Sequence, residues 1–379
     1  MASGKKSIFI AAAGLLLIIL CACRTPEAPV STTGEVVIPP STPACMLPPT
    51  ELSDNEAQLP TALYPRTMID QAGRTVVIEE LPNRIISGYY ISSSVCMALD
   101  IADRLVGIEA NAETRPVYAL ARPELLELPN VGTARDFNLE ACLALKPDLV
   151  ILPYRLRDVA ETMDEMGVPV ILVNPESYAE MIGMLELIGA ATGADERANR
   201  LIEWIEDINS ELWITKVYSY RPDVFISGLN NWLTTVSSDM YQAELITMAG
   251  GHNVASYIAG GGWTEISYEQ LLVMDPDYII IPSEAGYDVS DVLYDPMLAE
   301  LRAVVNNSVY KMPSAIEAWD SPIPASMLGA RALVREFRGI LYRSEANYVQ
   351  AIEGYYEEFY GFSVRDSVSD WQSVLRLLS

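Results

Sequence analysis

The segment Asn138–Pro153, N-L-E-A-C-L-A-L-K-P-D-L-V-I-L-P, recurs without a gap as Ser267–Pro282, S-Y-E-Q-L-L-V-M-D-P-D-Y-I-I-I-P. Glu, Leu, Pro, Asp, Ile and Pro stand at the same places in both copies, and Gly132 and Gly261 extend the match upstream. Each copy reads as a short helix, a break and a buried strand. Asn138 and Ser267 are N-cap residues. Pro147 and Pro276 cannot continue a helix and push the residue before them toward extended backbone. Leu149–Leu152 and Tyr278–Ile281 are uninterrupted apolar runs, the pattern of strands covered on both faces. Two such units in register imply two similar α/β lobes, and two lobes imply a cleft between them.

The remaining pattern fits that division. Asp70–Arg74 reads as a hairpin turn before the alternating strand Thr75–Ile78. Strands are expected at 84–87, 105–108, 149–152 and 168–173, with helices at 92–99, 138–144 and 159–166 between them. Strands separated by helices imply parallel βαβ units. A helix at 177–191 ends at Gly193. Asp195 then caps a longer one carrying Ala198, Leu201, Ile202, Ile205, Ile208 and Leu212 at helical spacing, a rod of roughly 35 Å if it reaches Val217. It lies between the two copies of the repeat and would allow little hinge motion. The second lobe is expected to hold strands at 224–227, 278–281 and 309–312, a helix at 240–248 and closing helices at 327–342 and 346–359. The expected fold is thus α/β, with two Rossmann-like lobes joined by a single long backbone helix and a ligand cleft between them. The divisions are 66–193, 194–218 and 219–361, followed by a tail, 362–379.

The N-terminus concerns compartment. Lys5 and Lys6 precede an apolar run from Ile8 to Ala22, short for a membrane span and suited to a signal-peptide core, 1–22. Its end, Leu20-Cys21-Ala22-Cys23, resembles the lipobox of bacterial lipoproteins, with Cys23 as the acylated residue; an uncleaved anchor is the alternative. Residues 23–65, rich in Pro, Thr and Ser, read as a tether. Cys45 falls in it, while Cys96 and Cys142 fall in expected helices. No Cys pair or Cys/His cluster suggests a disulfide framework or zinc site. A formal net charge of −26 disfavours nucleic acid as a partner.

An ordered series of motifs carries a resemblance over Thr67–Gly361. D-x-x-G-R-T-V-x-I at Asp70 and P-N-R-I-I-S at Pro82 come first. L-x-x-A-D-R-L-V-G-I at Leu99, the first repeat, A-G-G-x-N-V at Ala249 and the second repeat follow. Together they resemble the substrate-binding lipoproteins of ABC importers for iron–siderophore, heme and cobalamin, the class III, helical-backbone periplasmic binding proteins. The resemblance implies a monomeric, extracytoplasmic, lipid-anchored receptor that delivers a metal chelate to a permease dimer with its ATPase subunits. It also implies that one acidic residue on each lobe docks into an arginine pocket on each permease half. Glu140 and Glu269 match those positions. Each carboxylate would also favour its own helix N-terminus, with or without docking.

Ligands of open α/β sheets bind beyond the carboxyl ends of the strands. The residues expected there are Tyr89, Tyr90 and Ser92, then Asn111 and Glu113, then Tyr154, Arg155 and Arg157. In the second lobe Asn230, Asn231, Trp232, Trp263, Glu284, Tyr287, Trp319 and Asp320 occupy such places. Tyr89, Tyr90, Tyr154, Arg155, Asn231, Trp232, Trp263 and Trp319 are the candidate ligand residues. Aromatic faces with a few polar groups suit a large planar or chelated ligand, and arginine suits its carboxylates. Heme through a tyrosine, a corrinoid or an oxyanion such as molybdate are alternatives. Bare Zn²⁺ or Mn²⁺ is disfavoured, because the one histidine, His252, is expected in a turn after a helix. A chelatase-like enzyme is the reading of another class, although no catalytic triad, Walker loop or dinucleotide motif accompanies it. A receptor working without a permease is a third.

Overall fold

The computed structural model describes residues 64–213, 220–258, 261–338 and 345–369. The expected signal sequence, Cys23, Cys45, almost all of the tether and the last ten residues of the tail lie outside them. The described chain opens with an antiparallel hairpin, β1 (Arg66–Ile69) and β2 (Thr75–Ile78). Its turn is closed by the buried Asp70 carboxylate, which accepts from the backbone of Ala72 and Arg74 and from the Arg74 guanidinium.

Four strands then alternate with helices: β3 (Ile85–Ser87), α1 (Tyr90–Ala98), β4 (Leu105–Gly107), α2 (Pro116–Ala121), α3 (Leu139–Ala144), β5 (Leu149–Pro153), α4 (Arg157–Glu165) and β6 (Val170–Val173). They form a parallel sheet in the order β4-β3-β5-β6. Two helices follow, α5 (Tyr178–Thr192) and α6 (Asp195–Trp213). The second half contains β7 (Asp223–Ile226), β8 (Thr234–Val236), α7 (Tyr241–Met248), β9 (His252–Asn253), β10 (Trp263–Glu265), α8 (Tyr268–Met274), β11 (Tyr278–Ile281), α9 (Val289–Leu293), α10 (Arg302–Val305) and β12 (Val309–Lys311). Its parallel sheet runs β9-β7-β11-β12. Counted by order of appearance, both sheets read second, first, third, fourth. The sequence repeat therefore marks a repeated topology, with the repeat strand third in each. Three helices complete the described chain: α11 (Ser326–Arg338), α12 (Glu345–Tyr360) and α13 (Val364–Ser367).

The two copies of the repeat agree in detail. The Asn138 side chain accepts from Ala141 N–H, and Ser267 forms a reciprocal capping box with Gln270. Asp148 accepts from the backbone of Asn83 and Arg84, and its counterpart Asp277 accepts from that of Asp223. In each half the Asp after proline thus holds the entry to the first strand. The residue before each proline departs from expectation: Lys146 and Asp275 have φ of 51° and 38°, left-handed rather than extended. Proline forbids the right-handed helical region to its predecessor, and a left-handed residue is a second way out that also ends the helix.

The apolar runs are buried on both faces as expected. In β5, Leu149 and Ile151 point into a core shared with the second half, whereas Val150 and Leu152 pack toward Ala160 and Met163. In β11, Ile280 joins the shared core and Ile279 and Ile281 face the opposite way. Helix α6 runs through the shared core with all six predicted apolar residues buried. At 1.5 Å per residue its 19 residues span ~28 Å; the expected continuation to Val217 lies outside the described residues. Arg197 on α6 donates to the carbonyls of Ala98, Glu358 and Phe359, and Trp204 stacks on Tyr355 with ring centroids 4.5 Å apart. These contacts brace α6 against α1 and α12.

Two other expectations are corrected. His252 lies in edge strand β9 rather than a turn, its Nδ1 2.8 Å from an Asp223 carboxylate oxygen. Trp263, expected beyond the end of a strand, lies within β10, paired antiparallel with β8.

Candidate functional site

A cavity of about 380 Å³ opens at the carboxyl ends of both parallel sheets and is walled by both halves. The turn after β3 forms its floor. A Cβ at Gly88 would stand 2.7 Å from Leu152 Cδ2 and 2.9 Å from Phe137 Cε2, so a larger residue would have to push these side chains aside. Tyr89 is the N-cap of α1 and Tyr90 its first residue, and no side chain caps the helix. The first-turn N–H groups therefore lie at the cavity wall with the positive end of the helix dipole, a natural seat for an anion.

Beyond β4, Glu109 is buried and accepts from Ser93 Oγ at 2.5 Å and from the Tyr118 hydroxyl. Burial raises its carboxyl against the opposing effect of these bonds. Arg115 follows, its guanidinium carbon 3.8 Å from the centre of the Tyr90 ring. It pairs with Glu284, which arrives from beyond β11 in the other half. Arg155, past β5, lines the cavity without a hydrogen bond or ion pair among the described residues. Its charge opposes the rise that burial imposes on the Glu176 carboxyl beyond β6. Leu229, Gln242 and Ser321 contribute from the second half.

Two buried polar atoms of residues that line the cavity have no hydrogen-bond partner among the described residues: the Tyr90 hydroxyl and Gln242 Oε1. Such atoms are costly to leave unpaired, and both lie beneath the surface that a ligand would touch. Burial pushes the Tyr89 hydroxyl up to about 12 and raises that of Tyr90 well above its ordinary value, so both remain donors.

Of the predicted ligand residues, Tyr89, Tyr90 and Arg155 come together here. The other five lie elsewhere. Tyr154 is exposed beside Arg157, because the short turn that aims Arg155 inward aims Tyr154 outward. Asn231 accepts from Leu233 N–H within its own loop. Trp232 packs edge-on against Tyr287 and donates to Asp295, and Trp263 packs on the shared core. Trp319 is 1% exposed and donates to the Tyr356 hydroxyl. These tryptophans turn away from the cleft, because a large apolar ring is worth more against packed side chains than at a wet rim.

Glu109, Arg115, Glu176 and Gln242 were not foreseen. Arg115 had a signal: it is the first arginine after the second strand, directly before a proline that opens a helix. Among the described residues no group of His, Cys, Asp or Glu is arranged to hold a metal ion. Glu140 and Glu269 both sit exposed at the second position of their helices.

Residues 85–316 match the family model described as periplasmic binding protein. An uncharacterized ABC transporter substrate-binding lipoprotein of Bacillus subtilis, YvrC, is 25% identical over 280 residues, 69% of this chain and 82% of that protein. The molybdate-binding protein MolA of Haemophilus influenzae is 24% identical over 340 residues, 80% of this chain and 93% of MolA. The molybdate-bound structure of MolA superposes with a TM-score of 0.68 at 22% identity, covering 79% of this chain and 98% of that one.

Proposed function

The chain belongs to the periplasmic binding protein family, and within it we propose a lipid-anchored, extracytoplasmic receptor that captures a compact anionic metal chelate of the iron–siderophore type. It hands this cargo to an ABC permease dimer and its ATPase subunits. The observation that carries this reading is the meeting of Arg155, the uncapped start of α1 and the Tyr89 and Tyr90 side chains in one cavity between the halves. Positive charge and donors select an anion, and the tyrosine rings suit an organic chelator around the metal.

Size narrows the choice. At 380 Å³ the cavity lies near the lower end of the ~300–1,000 Å³ range of small-molecule pockets. A metal with one small hydroxycarboxylate or catecholate chelator is of that order. Heme or cobalamin has several times as many atoms and would require the halves to part. The second reading is a metal oxyanion such as molybdate, favoured by the small cavity and by likeness to MolA over nearly all of its length. The chelatase alternative has no comparable support. YvrC's description as a lipoprotein supports the reading of Cys23 as the acylated residue.

Calorimetric titration with ferric citrate, a ferric monocatecholate, molybdate, heme and cobalamin tests this. One of the first three should bind most tightly. Arg155→Ala should weaken it by roughly 10- to 100-fold, the worth of a charge-assisted hydrogen bond. Preference for heme or cobalamin, or an Arg155→Ala variant that binds as well as wild type, would overturn the proposal.

A further inference from the structure

The Arg115–Glu284 pair lines the ligand cavity rather than a remote surface. Arg115 is held in orientation by the Tyr90 ring, with its side chain 25% exposed. Glu284 is 43% exposed, so it can return to water at little cost. Its backbone stays fixed, because the preceding residue, Ser283, donates from both N–H and hydroxyl to the buried Asp320 carboxylate. Thus a solvent-accessible carboxylate on a fixed backbone covers a preoriented guanidinium inside the site. Arg155, by contrast, stands open.

We infer that Glu284 is a built-in competitor that occupies Arg115 until an anionic ligand displaces it, so that Glu284 sets the charge a ligand must bring. A ligand with one anionic group is served by Arg155 alone. A ligand with a second group takes Arg115 as well and releases Glu284. Because Arg115 and Glu284 come from different halves, the ligand then replaces a tie between the halves with one of its own. A neutral ligand has nothing to offer Arg115 in exchange. This deepens the receptor reading and rests on it.

Titration of wild type, Glu284→Gln, Arg115→Gln and the double variant with ferric citrate and molybdate separates the two. Removing the competitor should tighten binding of the preferred anion about three- to tenfold, in the range of a partly exposed ion pair. Arg115→Gln should weaken it, and the double variant should bind no more tightly than Arg115→Gln alone. A merely structural Glu284 would not produce tighter binding that depends on Arg115. If wild type binds and Glu284→Gln binds no better, this inference falls and the receptor reading stands. If neither protein binds either anion, the anionic-ligand reading falls, and this inference with it.

Discussion

Glu140→Lys and Glu269→Lys introduced together are expected to reduce ligand uptake to the background of cells lacking the receptor, while the purified double variant binds ligand as wild type does. Both carboxylates occupy the second helical position of equivalent helices in the duplicated unit, both are exposed, and neither lines the cavity. A hydrogen bond with the Ser267 hydroxyl lowers the Glu269 carboxyl, so it is a charged feature of the surface. Two equivalent anions suit a permease with two equivalent cationic pockets. Reversal there sets like charge against like, at a cost of several kcal/mol per complex. Folding should suffer little, since a fully exposed charge at a helix start adds only weakly to stability. Each single reversal should give partial uptake. Normal uptake by the double variant, with its expression verified, would reject the docking role.

Much of the fold was legible because the chain is strongly punctuated. Asn138 and Ser267 start helices, Gly193 ends α5 with φ of 71°, and the Pro-Asp pairs fix where β5 and β11 begin. Strands buried on both faces write themselves as apolar runs. The short antiparallel pair β8–β10 was not legible: Thr234–Val236 and Trp263–Glu265 are too brief to show a period. The site was half legible for a different reason. Position after a strand tells which residues are near the cleft, and Tyr89, Tyr90 and Arg155 do line the cavity. It cannot tell which way a loop turns. Trp319 and Trp232 were therefore read as ligand faces when the chain spends them on packing. Gln242 acts from the first turn of α7, where the sequence shows only ordinary helix formers, and Arg115 is marked only by the proline that follows it.

Stability is expected to fall as pH rises from about 4.5 to about 7, and Glu317→Gln should remove a large part of that fall. Glu317 follows β12, is 2% exposed, and accepts from Ser94 Oγ at 2.6 Å and from the Tyr360 and Tyr356 hydroxyls at 3.1 and 3.3 Å. Burial pushes its carboxyl from the ordinary 4.5 up to about 7, against those hydrogen bonds and the more distant charge of Arg115. The sign follows from linkage. Between those values the folded state holds the proton more tightly than the unfolded state, so its contribution is complete below pH 4.5 and lost as pH passes 7. At 1.36 kcal/mol per pH unit this amounts to ~3 kcal/mol. Asp320, raised by burial to about 6, acts in the same direction, so the wild-type curve alone does not isolate Glu317. The difference between wild type and Glu317→Gln does. Urea unfolding at pH 5 and pH 8 should show wild type losing ~3 kcal/mol more than the variant. Parallel losses would show that Glu317 is ionised in the folded protein at both values. The group lies on a joint between the halves: Ser94 belongs to α1, whose first residues line the cavity, and Glu317 to the loop that leads from β12 to Ser321. A charge that develops there is buried against the helix whose first residues line the cavity.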